Sequence, residues 1–168
     1  MRYLSRNVWG ALGLGGLALL VDTPVQASSP QAFARHYQPV APIAGQQARV
    51  VYYRLDTPGT AAGAAHLYVG QQLHASLLPG GYSVFCLAPG RHVLGAYLDD
   101  APFYAGKHSE LFAAELKAGR TYFVKVREHG GNAPIGVARS EAERELVGHR
   151  EQVHVISRAT HVQQCREP

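Results

Sequence analysis

The chain has 168 residues, a formal net charge of +4, 46% hydrophobic content and 17% charged residues. That balance is globular, and the length suits one domain with a substantial core. Lys and Arg are scattered singly with no run of three. The basic stripe or recognised motif of a nucleic-acid protein is therefore missing, and the mild basicity reads as solubility with weak attraction to anionic cell-surface polymers.

The first 27 residues read as a secretory signal peptide. Arg2 and Arg6 form a positive region, Val8 to Val21 an apolar core, and Thr23-Pro24 a break before Val25-Gln26-Ala27, where small residues stand at the positions a signal peptidase reads. An apolar run of about 14 residues interrupted by glycines is too short to span a bilayer. No cysteine follows Ala27, so a lipid anchor is not indicated. The expectation is export to the periplasm, outer membrane or cell surface of a Gram-negative bacterium, with no transmembrane segment in the mature chain. Arg2, Arg6 and Asp22 leave with the peptide, lowering the net charge by one unit.

Residues 28–47, with Pro30, Pro39 and Pro42, read as an extended leader carrying a short turn of helix around Gln31 to His36. The domain is expected to run over 48–168. Arg49 to Leu55 is the first strand, closed by Asp56-Thr57-Pro58-Gly59. His66 to Val69 and Gln72 to Leu77 flank Gly70-Gln71, a two-residue hairpin turn with Gly first. Tyr82 to Leu87 follows between Pro79-Gly80-Gly81 and Pro89-Gly90, and Arg91 to Leu98 is the next strand. In Glu110 to Leu116, Phe112, Ala114 and Leu116 share one face. Thr121 to Arg127 alternates most clearly, with Tyr122, Val124 and Val126 inward and Lys125 and Arg127 outward. A short strand at Ile135 to Ala138 precedes Ser140-Glu141-Ala142-Glu143, which has the form of a capping box opening a brief helix that ends near Gly148. The tail, with Val153, Val155 and Cys165, is expected to be extended and stapled back. Seven or eight short strands and one short C-terminal helix predict a mainly β protein, an antiparallel β-sandwich.

The two cysteines, Cys86 and Cys165, both lie in the exported part. In an oxidising compartment such a pair is expected to form a disulfide, closing a loop of about 80 residues.

The segment from His66 to Leu73 and on through Leu87-Ala88-Pro89-Gly90-Arg91-His92-Val93-Leu94 resembles the small bacterial β-domain named after its Pro-Glu-Gly-Ala motif. With Ala48-Arg49-Val50-Val51-Tyr52-Tyr53-Arg54 and Ala118-Gly119-Arg120-Thr121-Tyr122-Phe123-Val124, it looks closer still to an uncharacterised family of exported envelope domains. The resemblance covers about residues 48–146. It implies a non-catalytic envelope module, of a kind often lipid-anchored, although the lipobox cysteine is missing here. The stretch from Val153 to Cys165 looks like that of proteins associated with outer-membrane protein A-type partners, which implies such a partner for this chain.

Motifs for chemistry are sparse. The nine histidines show no His-x-His or His-Glu-x-x-His spacing, and zinc requires three or four converging ligands. Hairpin pairing places His66 and His74 on neighbouring strands, which is two ligands at most. Pro79-Gly80-Gly81-Tyr82-Ser83-Val84 is not a nucleophile elbow. Asp99-Asp100 are adjacent and point apart if the strand continues, and Cys86 within an apolar strand reads as structural. No catalytic residue, metal or cofactor is expected. Tyrosine is the suggestive excess, at nine residues, and suits either half-buried strands or an exposed contact face.

The reading is a non-catalytic, exported envelope module acting in protein–protein interaction. A small-ligand or metal carrier and a cell-wall glycan enzyme are the alternatives. Loops at 56–64, 99–107 and 129–134 and the open sheet edges are the surfaces available for binding. Asp99, Asp100, Phe103 and Tyr104 mix carboxylates with aromatics and are the expected partner contacts.

Overall fold

The computed structural model describes residues 32–43, 45–98, 112–131, 133–153 and 155–166. Among them, alternating runs of β-branched and aromatic residues between turns form ten strands and one helix. These are β1 (Phe33–His36), β2 (Ala48–Tyr53), β3 (Ala65–Val69), β4 (Gln72–Leu77), β5 (Gly81–Leu87), β6 (Gly90–Tyr97), β7 (Phe112–Leu116), β8 (Thr121–Lys125), β9 (Ile135–Val137), α1 (Arg139–Glu145) and β10 (Arg150–Gln152). A six-stranded sheet in the order β1-β10-β5-β2-β8-β9 packs on a four-stranded sheet in the order β4-β3-β6-β7. The mainly β sandwich with one short helix near the C-terminus is the architecture the sequence predicts.

Its core is built from alternate residues of both sheets. Val50, Tyr52, Leu67, Val69, Leu77, Phe85, Leu87, Leu94, Leu116 and Val124 are buried between them, and each aliphatic side chain there contributes about 1.5–3 kcal/mol over its exposed state. The other face of the larger sheet is covered as well. Val51, Tyr53, Tyr82 and Phe123 pack with Tyr37 and with Ala142 and Leu146 of the helix segment. Strand β2 is consequently buried along its whole length.

That second layer changes the reading of β8. Val124 and Val126 face the core as the alternation indicates, but Phe123 is buried beneath α1. Lys125 also turns toward the helix, with its Nζ 2.7 and 3.0 Å from the Glu145 carboxylate oxygens. The Tyr53 hydroxyl donates to the same carboxylate at 2.5 Å, so three side chains fasten α1 to the sheet.

Several local expectations are corrected. Two strand pairs, β2 with β8 and β5 with β10, are parallel, so the larger sheet is mixed. Parallel neighbours need long crossovers; here β3–β7 separate the first pair and β6–α1 the second. Phe33 to His36 is a strand paired antiparallel with β10, not a turn of helix. Residues from 32 onward therefore belong to the domain that was expected to start at 48, and Tyr37 and Ile43 are buried in it. A four-residue segment has too little helical propensity to resist a sheet edge that lacks a partner.

The capping box is not formed. The helix starts at Arg139, with Ala138 at the N-cap and no side-chain cap bond. Arg139 instead lies 5.3 Å over the Phe123 ring and pairs with Glu143 at 2.9 Å. In the β3–β4 turn both Gly70 (φ 57°) and Gln71 (φ 67°) are left-handed, which is a type I′ turn.

Candidate binding groove

The sandwich has two flanks, and the chain treats them differently. Where β4 stands over β5, the C-terminal tail closes the opening. The Arg158 N–H donates to the Leu73 carbonyl at 2.8 Å, and Cys86 and Gln163 exchange backbone hydrogen bonds of 3.0 and 2.9 Å. Cys86 and Cys165 lie at disulfide-bonding distance, with Cα atoms 5.0 Å apart. Of the residues singled out from sequence, this is the pair the fold brings together.

Beneath the tail, Leu67 pairs with Ala75 but Tyr68 pairs with Leu73. His74 is thus the extra residue of a β-bulge. Its ring turns inward to a centroid 4.3 Å from that of Phe85, and its Nδ1 lies 3.1 Å from the Ser157 hydroxyl. Burial pushes its pKa down to about 4. His66 is directed elsewhere, with Nδ1 2.9 Å from the Ser76 hydroxyl; burial lowers its pKa too. The two histidines that a regular hairpin would place near one another do not converge. Among the described residues no three His, Cys, Asp or Glu side chains are grouped to hold a metal ion.

Among the described residues the opposite flank, between β7 and the β8–β9 pair, is open. It forms a groove of about 370 Å³. Phe112, Ala114 and Leu116 line one wall, and Tyr122, Val124, Gly136 and Val137 line the other. The wall on the β8 side is incomplete because β9 pairs only with Phe123 to Lys125, leaving Thr121 and Tyr122 beyond its end. Tyr122 is oriented by the Lys117 N–H, which donates to its hydroxyl at 2.8 Å. Arg139 and Glu115 stand at the margin. Such a surface can take apolar side chains against its walls and a strand along the β7 edge.

A second hollow, of about 580 Å³, lies between residues 35–41 and the outer face of the larger sheet, next to Cys165. Its charged groups already have partners. Arg35 pairs with Glu151 at 2.7 Å, and Arg49 donates to the Ala41 carbonyl. It reads as the seam where the N-terminal segment is tied down.

Asp99, Asp100, Phe103 and Tyr104, the expected partner contacts, lie outside the described residues, as do residues 1–27. What sequence reasoning missed is the buried Arg54, which anchors the 56–64 loop, and the Lys125–Glu145–Tyr53 cluster. Both join residues 20 or more positions apart in the chain, so no local spacing signals them. The β7 edge was legible in part, from the shared face of Phe112, Ala114 and Leu116. Comparison with models of known protein families, with curated proteins and with solved structures finds no match to this chain.

Proposed function

We propose that this protein is an exported, non-catalytic module of the cell envelope that binds another protein along the open flank of its sandwich. The observation that carries the reading is the groove itself, lined by apolar side chains and by Glu115, Thr121 and Arg139, beside a strand edge with no partner among the described residues. Unpaired edge amides and carbonyls give affinity to an added strand, and the walls select its side chains. The disulfide suits an oxidising compartment, in keeping with the signal-peptide pattern. The likeness to Pro-Glu-Gly-Ala-type envelope domains, and the association with an outer-membrane protein A-type partner, belong to this proposal on their sequence motifs. No helix among the described residues is long and apolar enough to cross a membrane.

The test is site-specific photocrosslinking in intact Gram-negative cells that export the protein. A photoreactive residue at Ala113 or Glu115, both exposed on β7, should capture a protein, whereas one at the exposed helix position Arg144 should not. Equal capture from β7 and from Arg144, or none from β7, would overturn the assignment. A groove of about 370 Å³ is also within the range that holds small molecules. That observation favours carriage of a small apolar ligand as the second reading.

A further inference from the structure

We infer that the occupant of the β7 edge is a second copy of this chain, paired antiparallel through the same strand about a two-fold axis at Ala114. The inference rests on the reading of this flank as an interaction surface and names the partner.

Among the described residues the sheets present four outer strands, β1, β9, β4 and β7, and three of them are guarded. Strand β1 has irregular register and carries the exposed Arg35. Strand β9 has three residues and follows Pro134. Strand β4 carries the His74 bulge and is bonded to the tail through Leu73. Bulges, short length and charge are the devices by which natural sheets prevent edge pairing. Strand β7 has no bulge, and its one charge, Glu115, stands at an exposed position with Arg91 of β6 opposite. The strand is five residues long, Phe-Ala-Ala-Glu-Leu, in unbroken register with β6.

Its sequence is also compatible with itself. An antiparallel pair centred on Ala114 sets Phe112 opposite Leu116 of the second copy, and Ala114 opposite itself. Phe112 and Leu116 share the face that lines the groove, so the apolar rows of the two smaller sheets become continuous. On the other face Ala113 meets Glu115 of the second copy. Within its own chain Glu115 already sits opposite Arg91, and Ala113 opposite Val93. No like charges meet in this register, and the small Ala114 side chains at the axis allow close approach. A two-fold contact of this kind is isologous and closes as a dimer. The same register predicts a charge code: each two-fold contact contains the 113–115 pairing twice.

Sedimentation of the full-length exported protein, with its disulfide intact, tests this over a range of concentration. The expected result is a concentration-dependent dimer. Ala113→Glu sets two pairs of facing carboxylates across the axis and should weaken the dimer about tenfold. Ala113→Lys faces Glu115 and should leave it as strong or stronger, and the double variant Ala113→Glu/Glu115→Lys should regain what Ala113→Glu loses. Both positions are exposed strand sites, and a melting temperature for each of the three variants confirms that it is folded. A dimer indifferent to Ala113→Glu overturns the inference, because the copies then meet elsewhere. A monomer at every concentration also overturns it, yet capture of a different protein from β7 in cells would leave the interaction-surface reading standing.

Discussion

Arg54 and Glu128 form a two-pronged ion pair inside the domain, Nε to Oε1 at 2.8 Å and Nη2 to Oε2 at 3.1 Å. The Arg54 side chain is fully buried, whereas that of Glu128 is 16% exposed. The remaining guanidinium hydrogens go to the carbonyls of Gly63 at 2.6 Å, Ala61 at 2.7 Å and Leu77 at 3.4 Å, and the Ala61 N–H returns to Glu128 at 3.1 Å. One arginine thus satisfies the backbone of the 56–64 loop and ties the end of β2 to the end of β8. Glu128→Ala leaves that charge buried without its counterion. Breaking such a pair on one side costs about 3–5 kcal/mol, and the partly exposed carboxylate places the expectation toward the lower end, about 3 kcal/mol in urea unfolding. A loss under 1 kcal/mol would mean the loop can turn Arg54 out to water.

The covalent closure of the tail gives a second prediction. Cys86 and Cys165 are 79 positions apart, and a loop of that length constrains the unfolded chain by about 4 kcal/mol. Reduction, or Cys165→Ser, should lower unfolding free energy by that order. Amide exchange should rise first at Arg158 and Gln163, whose backbone bonds the staple supports. Unchanged exchange at those two amides after reduction would show that the tail holds without the bond.

These two features mark the limits of what the sequence disclosed. The strand segments and the disulfide were legible because both leave local signals: period-two alternation between turns, and an even cysteine count in an exported chain. The parallel pairs and the entry of Phe33 to His36 into the sheet were not, since long-range pairing leaves no mark on the segment that joins. The burial of Phe123 comes from α1, a contact that the alternation of its own strand does not signal. The capping-box spacing at Ser140 is without its structure because the helix starts one residue earlier, at Arg139, which lies over Phe123 and pairs with Glu143. The groove was half visible, its β7 wall in the alternation and its β8 wall only after the sheets were assembled.

Gly81 is a position where backbone crowding requires glycine. A Cβ built there would stand 2.9 Å from the Leu78 carbonyl oxygen and 3.2 Å from both Leu77 and Phe33 side chains. The Gly81 carbonyl also accepts from the Arg54 N–H at 3.0 Å, so the strand cannot retreat freely. Gly81→Ala should destabilise the fold by about 1–3 kcal/mol, the usual range for overpacking. Gly136→Ala is the control, because its Cβ would meet only Phe112 at an ordinary 3.7 Å. Equal melting temperatures for the two variants would contradict this account.

The last prediction concerns acid. His74 is 3% exposed and is held neutral by burial, with its pKa lowered from 6.5 to about 4. The unfolded chain therefore binds a proton at higher pH than the native one. Stability from this residue is complete above pH 6.5, declines as pH falls toward 4, and is gone below it. The interval between 6.5 and about 4 corresponds to about 3 kcal/mol. His66 is shifted the same way by burial and adds to the slope. The carboxylates act lower down. Burial tends to raise Glu128 and Glu145, but hydrogen bonds from Arg54 and from Lys125 and Tyr53 outweigh it and leave both below 4.5. Their contribution is therefore present above pH 4.5 and is lost as pH falls through their native values. His74→Gln keeps a neutral polar side chain near Ser157 and removes the proton site. Urea unfolding from pH 7 to 4.5 should show the wild type losing stability steeply and the variant losing only the share left to His66. A variant with the wild-type slope would place the acid sensitivity elsewhere in the domain.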